Sequence, residues 1–188
     1  MKAFLPTVTI AGLLGLASIG AHASDGSVLV NGTVATNTCS INGTAAGTTF
    51  TKTVTMPTVT AASISANTPA GMSSATDLQI VLTNCAGPAT KVIASFNNDP
   101  ATVDQTYGYL VNQATTGAAQ RVGVALYNSK FQRISIINPV SNSIANNGVT
   151  ITNGNATLQY YAAYGLGQGG AAQPGTVLAT VTYQLVYQ

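Results

Sequence analysis

Residues 179–188 read ATVTYQLVYQ. Val181, Tyr183, Leu185 and Tyr187 fall on one side of an extended chain, and Thr180, Thr182, Gln184 and Val186 on the other. Successive side chains of a strand point to opposite faces, so this alternation predicts a half-buried strand. A second such pattern lies at the other end: GSVLVNGTV, residues 26–34, puts Val28, Val30, Gly32 and Val34 on one side. Between them no stretch keeps an amphipathic helical period for ten residues. A chain patterned this way is expected to fold as sheets, and each terminal strand needs a partner.

The first 23 residues, MKAFLPTVTIAGLLGLASIGAHA, combine Lys2, an apolar stretch and an Ala21-His22-Ala23 cleavage signal. They read as a signal peptide, since Pro6, Thr7, Thr9 and Ser18 make a poor membrane span. Cleavage leaves 165 residues from Ser24, a length that suits one domain. Only Asp25 and a small residue then precede the first strand, so no earlier strand of the processed chain forms a hairpin with it.

Period-2 runs rich in Val, Ile, Thr and Tyr recur at Phe50–Met56, Leu78–Leu82, Lys91–Phe96, Val122–Tyr127, Val149–Ile151, Thr157–Tyr164 and Val177–Tyr187. Gly, Asn, Pro and Ser clusters separate them. Many short strands at this spacing indicate a β-sandwich or a β-barrel. Asn146-Asn147-Gly148 and Asn153-Gly154 read as hairpin turns, Gly165–Gly175 as a loop, and Thr58–Ser74 as a long crossover. Cys39 and Cys85 are the two cysteines, and an even pair in an exported chain reads as a disulfide.

Charge is sparse. Beyond the leader, five Lys and Arg stand against four Asp, a net of +1, with no Glu. Nucleic-acid binding needs clustered cations to replace phosphate counterions, and none cluster. With 46% hydrophobic residues the chain is expected to pack rather than remain disordered. The one His is His22, so Ser-His-Asp chemistry and imidazole-ligated zinc are not expected beyond the leader. Asp99 and Asp104 flank a polar turn at Pro100 and read as loop carboxylates. These features predict no enzyme, cofactor, metal or small-molecule substrate.

The order of several pieces resembles the subunits of chaperone–usher pili, particularly the type 1 fimbrial major subunit family. Gly26–Val34 is similar to that family's N-terminal donor extension, and Cys39 follows where its first-strand cysteine stands. VTMPTV (Val54–Val59) resembles its V-x-L-P-x-V segment, with Met56 for the usual Leu, and DLQIVLTNC (Asp77–Cys85) its second-cysteine strand. VGVALYNSKFQRI (Val122–Ile134), YYAAY (Tyr160–Tyr164) and PGTVLATVTYQLVYQ (Pro174–Gln188) complete the likeness, with Gly175 before the last strand and Tyr187 as its penultimate aromatic.

The resemblance implies an all-β, immunoglobulin-like sandwich lacking its final strand. It divides the chain into a signal peptide (1–23), a donor-strand extension (24–34) and a pilin domain (35–188). Gly26, Val28 and Val30 would enter a neighbouring subunit's groove. The strand holding Gly175, Val181, Tyr183, Leu185 and Tyr187 would be the surface for a periplasmic chaperone. The implied function is a structural subunit of an adhesive fimbria. It would be exported through the periplasm, delivered by chaperone and outer-membrane usher, and polymerised with neighbouring pilins at the cell surface. A minor, adaptor or adhesive subunit of the same pilus is the alternative reading, and a small outer-membrane β-barrel a more distant one. A two-domain tip adhesin needs a binding domain for which 165 residues leave no room, and Trp platforms for sugars are absent.

Overall fold

The computed structural model describes residues 38–64 and 75–188, which belong to one compact unit. The signal peptide, the strand expected at 28–34 and residues 65–74 of the expected crossover lie outside the described residues. The strands are β1 (Thr38–Ile41), β2 (Thr76–Ala86), β3 (Lys91–Phe96), β4 (Leu110–Val111), β5 (Val122–Asn128), β6 (Arg133–Ile134), β7 (Val149–Thr150), β8 (Ala156–Leu166) and β9 (Tyr183–Tyr187). A four-residue helix, α1 (Ile144–Asn147), precedes β7.

One sheet has the order β1-β2-β8-β5-β4, with β6 paired to β5; the other has the order β7-β3-β9. Every pairing between these strands is antiparallel. The register of β2 on β8 places Ile80 opposite Leu158 and Leu82 opposite Ala156, all facing the core. From the second sheet Val92, Ala94 and Phe96 meet them. This is the two-layer packing that alternating strands require. Cys39 and Cys85 form a disulfide that ties β1 to β2.

Asn153-Gly154 makes the expected tight turn, with φ of 49° and 72°, and Thr152 and Asn155 exchange hydrogen bonds across it at 2.9 and 3.0 Å. Asn146-Asn147-Gly148 is different. Asn146 and Asn147 end α1, and the Gly148 N–H caps it by donating to the Ile144 carbonyl at 2.9 Å. The segment turns locally instead of reversing between paired strands. Asp99 and Asp104 brace their loops: Asp99 accepts the Ala101 N–H at 2.9 Å, and Asp104 accepts those of Thr106 and Tyr107.

Tyr160 bridges the layers. Its ring meets Phe96 edge-on at 5.2 Å, and its hydroxyl accepts the Ala94 N–H at 3.1 Å. Asn142, also buried, donates to the Ala94 carbonyl at 2.8 Å. Burial pushes the Tyr160 phenol up to about 12, against the smaller opposing pull of its hydrogen bonds. Folding therefore holds this proton above the value of about 10 expected in the unfolded chain. The stabilisation is complete below pH ~10 and is lost as pH rises towards ~12, a loss of about 2–3 kcal/mol from this group. Urea midpoints measured at rising pH should hold steady up to about pH 10 and then fall, and Tyr160→Phe should blunt the fall. An undiminished alkaline drop in that variant would rule out this assignment.

Candidate functional site: an apolar groove beside the C-terminal strand

From Val177 to Gln188 every odd-numbered residue is half-buried and every even-numbered one exposed. Val177, Ala179, Val181, Tyr183, Leu185 and Tyr187 pack against the core, while Leu178 and Val186 are 57% and 37% exposed. The same alternation sorts the backbone. Neighbouring residues of a strand send their N–H and C=O groups to opposite edges. Those of even residues are engaged: Leu178 with Asn112 and Gln113, Thr180 with Gln113, Thr182 with Asn97, and Gln188 with Lys91. Among the described residues no hydrogen bond engages the backbone of Val177, Ala179, Val181, Tyr183, Leu185 or Tyr187.

The chain that faces this edge is equally bare. Residues 49–56 belong to no helix or strand, and their backbone makes no hydrogen bond among the described residues. The strand expected at Phe50–Met56 therefore has the right side-chain pattern but no partner on its ladder. Val54 and Met56 turn towards the core. Between the two bare edges runs a groove of about 720 Å³, and Ile80, Leu110, Val124 and Leu126 are among the core residues lining it. Lys52 is the one charged side chain among the described lining residues. Such a groove leaves backbone groups unpaired and apolar surface uncovered, which is costly unless something fills it.

Local interactions hold the groove open. Asn112 Nδ2 donates to the Ala119 and Thr176 carbonyls at 3.0 and 2.9 Å, and its Oδ1 accepts the Leu178 N–H at 2.9 Å. Gln113 accepts the Thr180 N–H and hydroxyl through Oε1. These two amides replace a ladder partner for the stretch before β9, which is why the expected strand Val177–Tyr187 is paired as a strand only over Tyr183–Tyr187. Hydrophobic periodicity carries no signal for Asn112 or Gln113.

The Tyr183 hydroxyl is enclosed and has no hydrogen-bond partner among the described residues. Burial raises the phenols of both Tyr183 and Tyr187 above their usual value. Val181, Tyr183 and Leu185 line the groove, and Tyr187 lines a smaller cavity near Cys85. Gly26, Val28 and Val30 lie outside the described residues.

Gly175 starts this stretch. A Cβ there would lie 2.5 Å from the Gly117 carbonyl oxygen and 2.6 Å from the Ala118 carbonyl carbon. Thr176 is bonded into the same place, donating to Gly117 and accepting from Ala119 at 2.7 and 2.9 Å. Gly175→Ala should therefore cost about 1–3 kcal/mol of stability, because backbone must move. Gly165→Ala is the control: its added carbon would sit 3.7 Å from the Ala125 Cβ, an ordinary contact. Denaturant midpoints that fall equally for both would refute the crowding argument.

Comparison with known proteins agrees with this geometry. A family model described as fimbrial protein matches residues 28–188. The major fimbrial subunit SMF-1 of Stenotrophomonas maltophilia is 34% identical over 178 residues, covering 93% of this chain and 99% of that protein. A fimbrial protein of Escherichia coli is 34% identical over 186 residues, covering 95% and 97%. A chain of a solved chaperone–usher pilus superposes with a TM-score of 0.55 at 20% identity, covering 98% of this chain and all of its own. That likeness supports the fold: an immunoglobulin-like sandwich open along one edge. The chain belongs to the fimbrial protein family and is a structural subunit of a cell-surface fimbria.

Proposed function

We propose that the subunit polymerises by donating its N-terminal segment, residues 24–34, to the groove of the next copy. One observation carries this reading: among the described residues, residues 49–56 and the odd-numbered positions of Val177–Tyr187 lack backbone partners, and both segments line an apolar groove. A strand inserted there supplies both edges with hydrogen bonds and the floor with apolar side chains. Val28 and Val30 alternate as such a strand must, and Gly26 suits a shallow position. The enclosed Tyr183 hydroxyl further supports an incoming partner, since an unmet buried donor costs about 1–3 kcal/mol. Repetition of this head-to-tail contact does not close, so it builds a filament.

Before assembly the same groove needs a temporary occupant, and a periplasmic chaperone that lends a strand, with an outer-membrane usher to release the subunit, fits that need. The leader, cleaved after Ala23, sends the chain to that compartment. The role is mechanical and adhesive, without catalysis or cofactor.

Deleting residues 24–30 from the exported chain removes the donor and spares the acceptor. The shortened subunit should still be recovered with a chaperone. It should cap wild-type filaments, and alone it should give no ladder of SDS-resistant multimers on unheated gels. Ladders as long as those of the intact chain would mean that the segment pairs elsewhere.

A further inference from the structure

An Asn-Gly pair carries its own reaction. The glycine backbone nitrogen attacks the asparagine side-chain carbonyl carbon: a Gly N–Cγ bond forms, the Cγ–Nδ2 bond breaks, and ammonia leaves with the amide proton. Water then opens the cyclic imide at either carbonyl, leaving aspartate or isoaspartate. Glycine favours the attack because no Cβ shields its nitrogen. In a folded chain the two groups must also be free to meet, and hydrogen bonds to either one oppose that.

Three such pairs lie among the described residues, and the fold treats them differently. Asn42 is clamped: Oδ1 accepts the Val81 N–H at 3.1 Å, its own N–H donates to the Val81 carbonyl at 2.7 Å, and Nδ2 is buried. Asn147 Nδ2 donates to the Ser141 carbonyl at 2.8 Å, and the would-be nucleophile, the Gly148 N–H, is held by Ile144 at 2.9 Å. Asn153 is exposed at the tip of its turn. Among the described residues no hydrogen bond engages its side-chain amide or the Gly154 N–H.

We infer that Asn153–Gly154 is a selective site of spontaneous deamidation in the folded subunit. Its place gives the change a consequence. The Gly154 carbonyl accepts the Cys85 N–H at 2.9 Å, and Gly154 lines a cavity of about 200 Å³ with Cys85, Ile151 and Tyr187. Isoaspartate routes the backbone through the former side chain, adding a methylene before Gly154 and drawing that carbonyl off Cys85. The modification thus reaches the disulfide and the far end of the C-terminal strand, and it adds a negative charge to a chain that carries few.

The test incubates the purified exported subunit in mildly alkaline buffer and maps deamidation by peptide mass spectrometry. A parallel sample is reduced and held unfolded in urea. In the folded protein Asn153 should react about tenfold or more faster than Asn42 and Asn147, with the three rates converging in urea. Equal rates in the folded protein, or the same lead for Asn153 after unfolding, would overturn the inference.

Discussion

Leu185→Asp should abolish fibres, while Val186→Asp, one residue along, should leave them. Leu185 turns into the groove and packs against the core. Val186 lies on the opposite face of β9, 37% exposed. A carboxylate at Leu185 must be buried without a partner whenever any strand fills the groove, which costs several kcal/mol. At Val186 the same carboxylate stays in water. Both variants keep the chain's length, donor segment and disulfide, so the pair isolates the face of the strand. Electron microscopy of surface fibres, with the amount of exported subunit measured beside it, reads the result. Normal fibres from Leu185→Asp, or equal loss from both variants, would remove the groove from the assembly mechanism.

The second large effect concerns the disulfide. Cys39 and Cys85 close a loop with a sequence separation of 46. The chain-entropy model gives such a loop about 4 kcal/mol of stabilisation. That is a large share of the 5–15 kcal/mol typical of a folded domain. Cys39→Ser, Cys85→Ser and the double variant should therefore lose similar stability, because each removes the same single link. Little folded subunit should be recovered from any of them at growth temperature. Denaturant midpoints within experimental scatter of the parent would refute this.

Much of the fold was legible because the strands are runs of β-forming residues bounded by turn residues, with burial that alternates along β2 and is continuous along β5. The patterns at Lys91–Phe96 and Val122–Tyr127 coincide with β3 and nearly all of β5, whose neighbours on both sides supply the expected ladders. The C-terminal alternation likewise locates the groove-facing side chains residue by residue. Three kinds of feature escaped. β4 and β6 span two residues each, too short for any period to register. Phe50–Met56 reads as a strand, yet periodicity reports which face is buried and says nothing of what lies alongside. Asn112 and Gln113 act through single amide contacts, which leave no trace in a hydrophobic pattern. Asn146–Gly148 ends a helix instead of forming a hairpin, because Asn-Gly suits a helix end as readily as a hairpin.

In the proposed assembly the edge from Val177 to Tyr187, bare among the described residues, also sets how a fibre responds to load. Eleven residues at about 3.4 Å each make an edge of roughly 35 Å. A strand lying along it and pulled lengthwise is loaded in shear, so its hydrogen bonds share the force and must fail nearly together. The same strand lifted sideways would peel, with the force falling on one bond at a time. In the proposed assembly, tension that runs along the seated strand meets the stronger arrangement, and resistance to rupture then scales with the length of that strand.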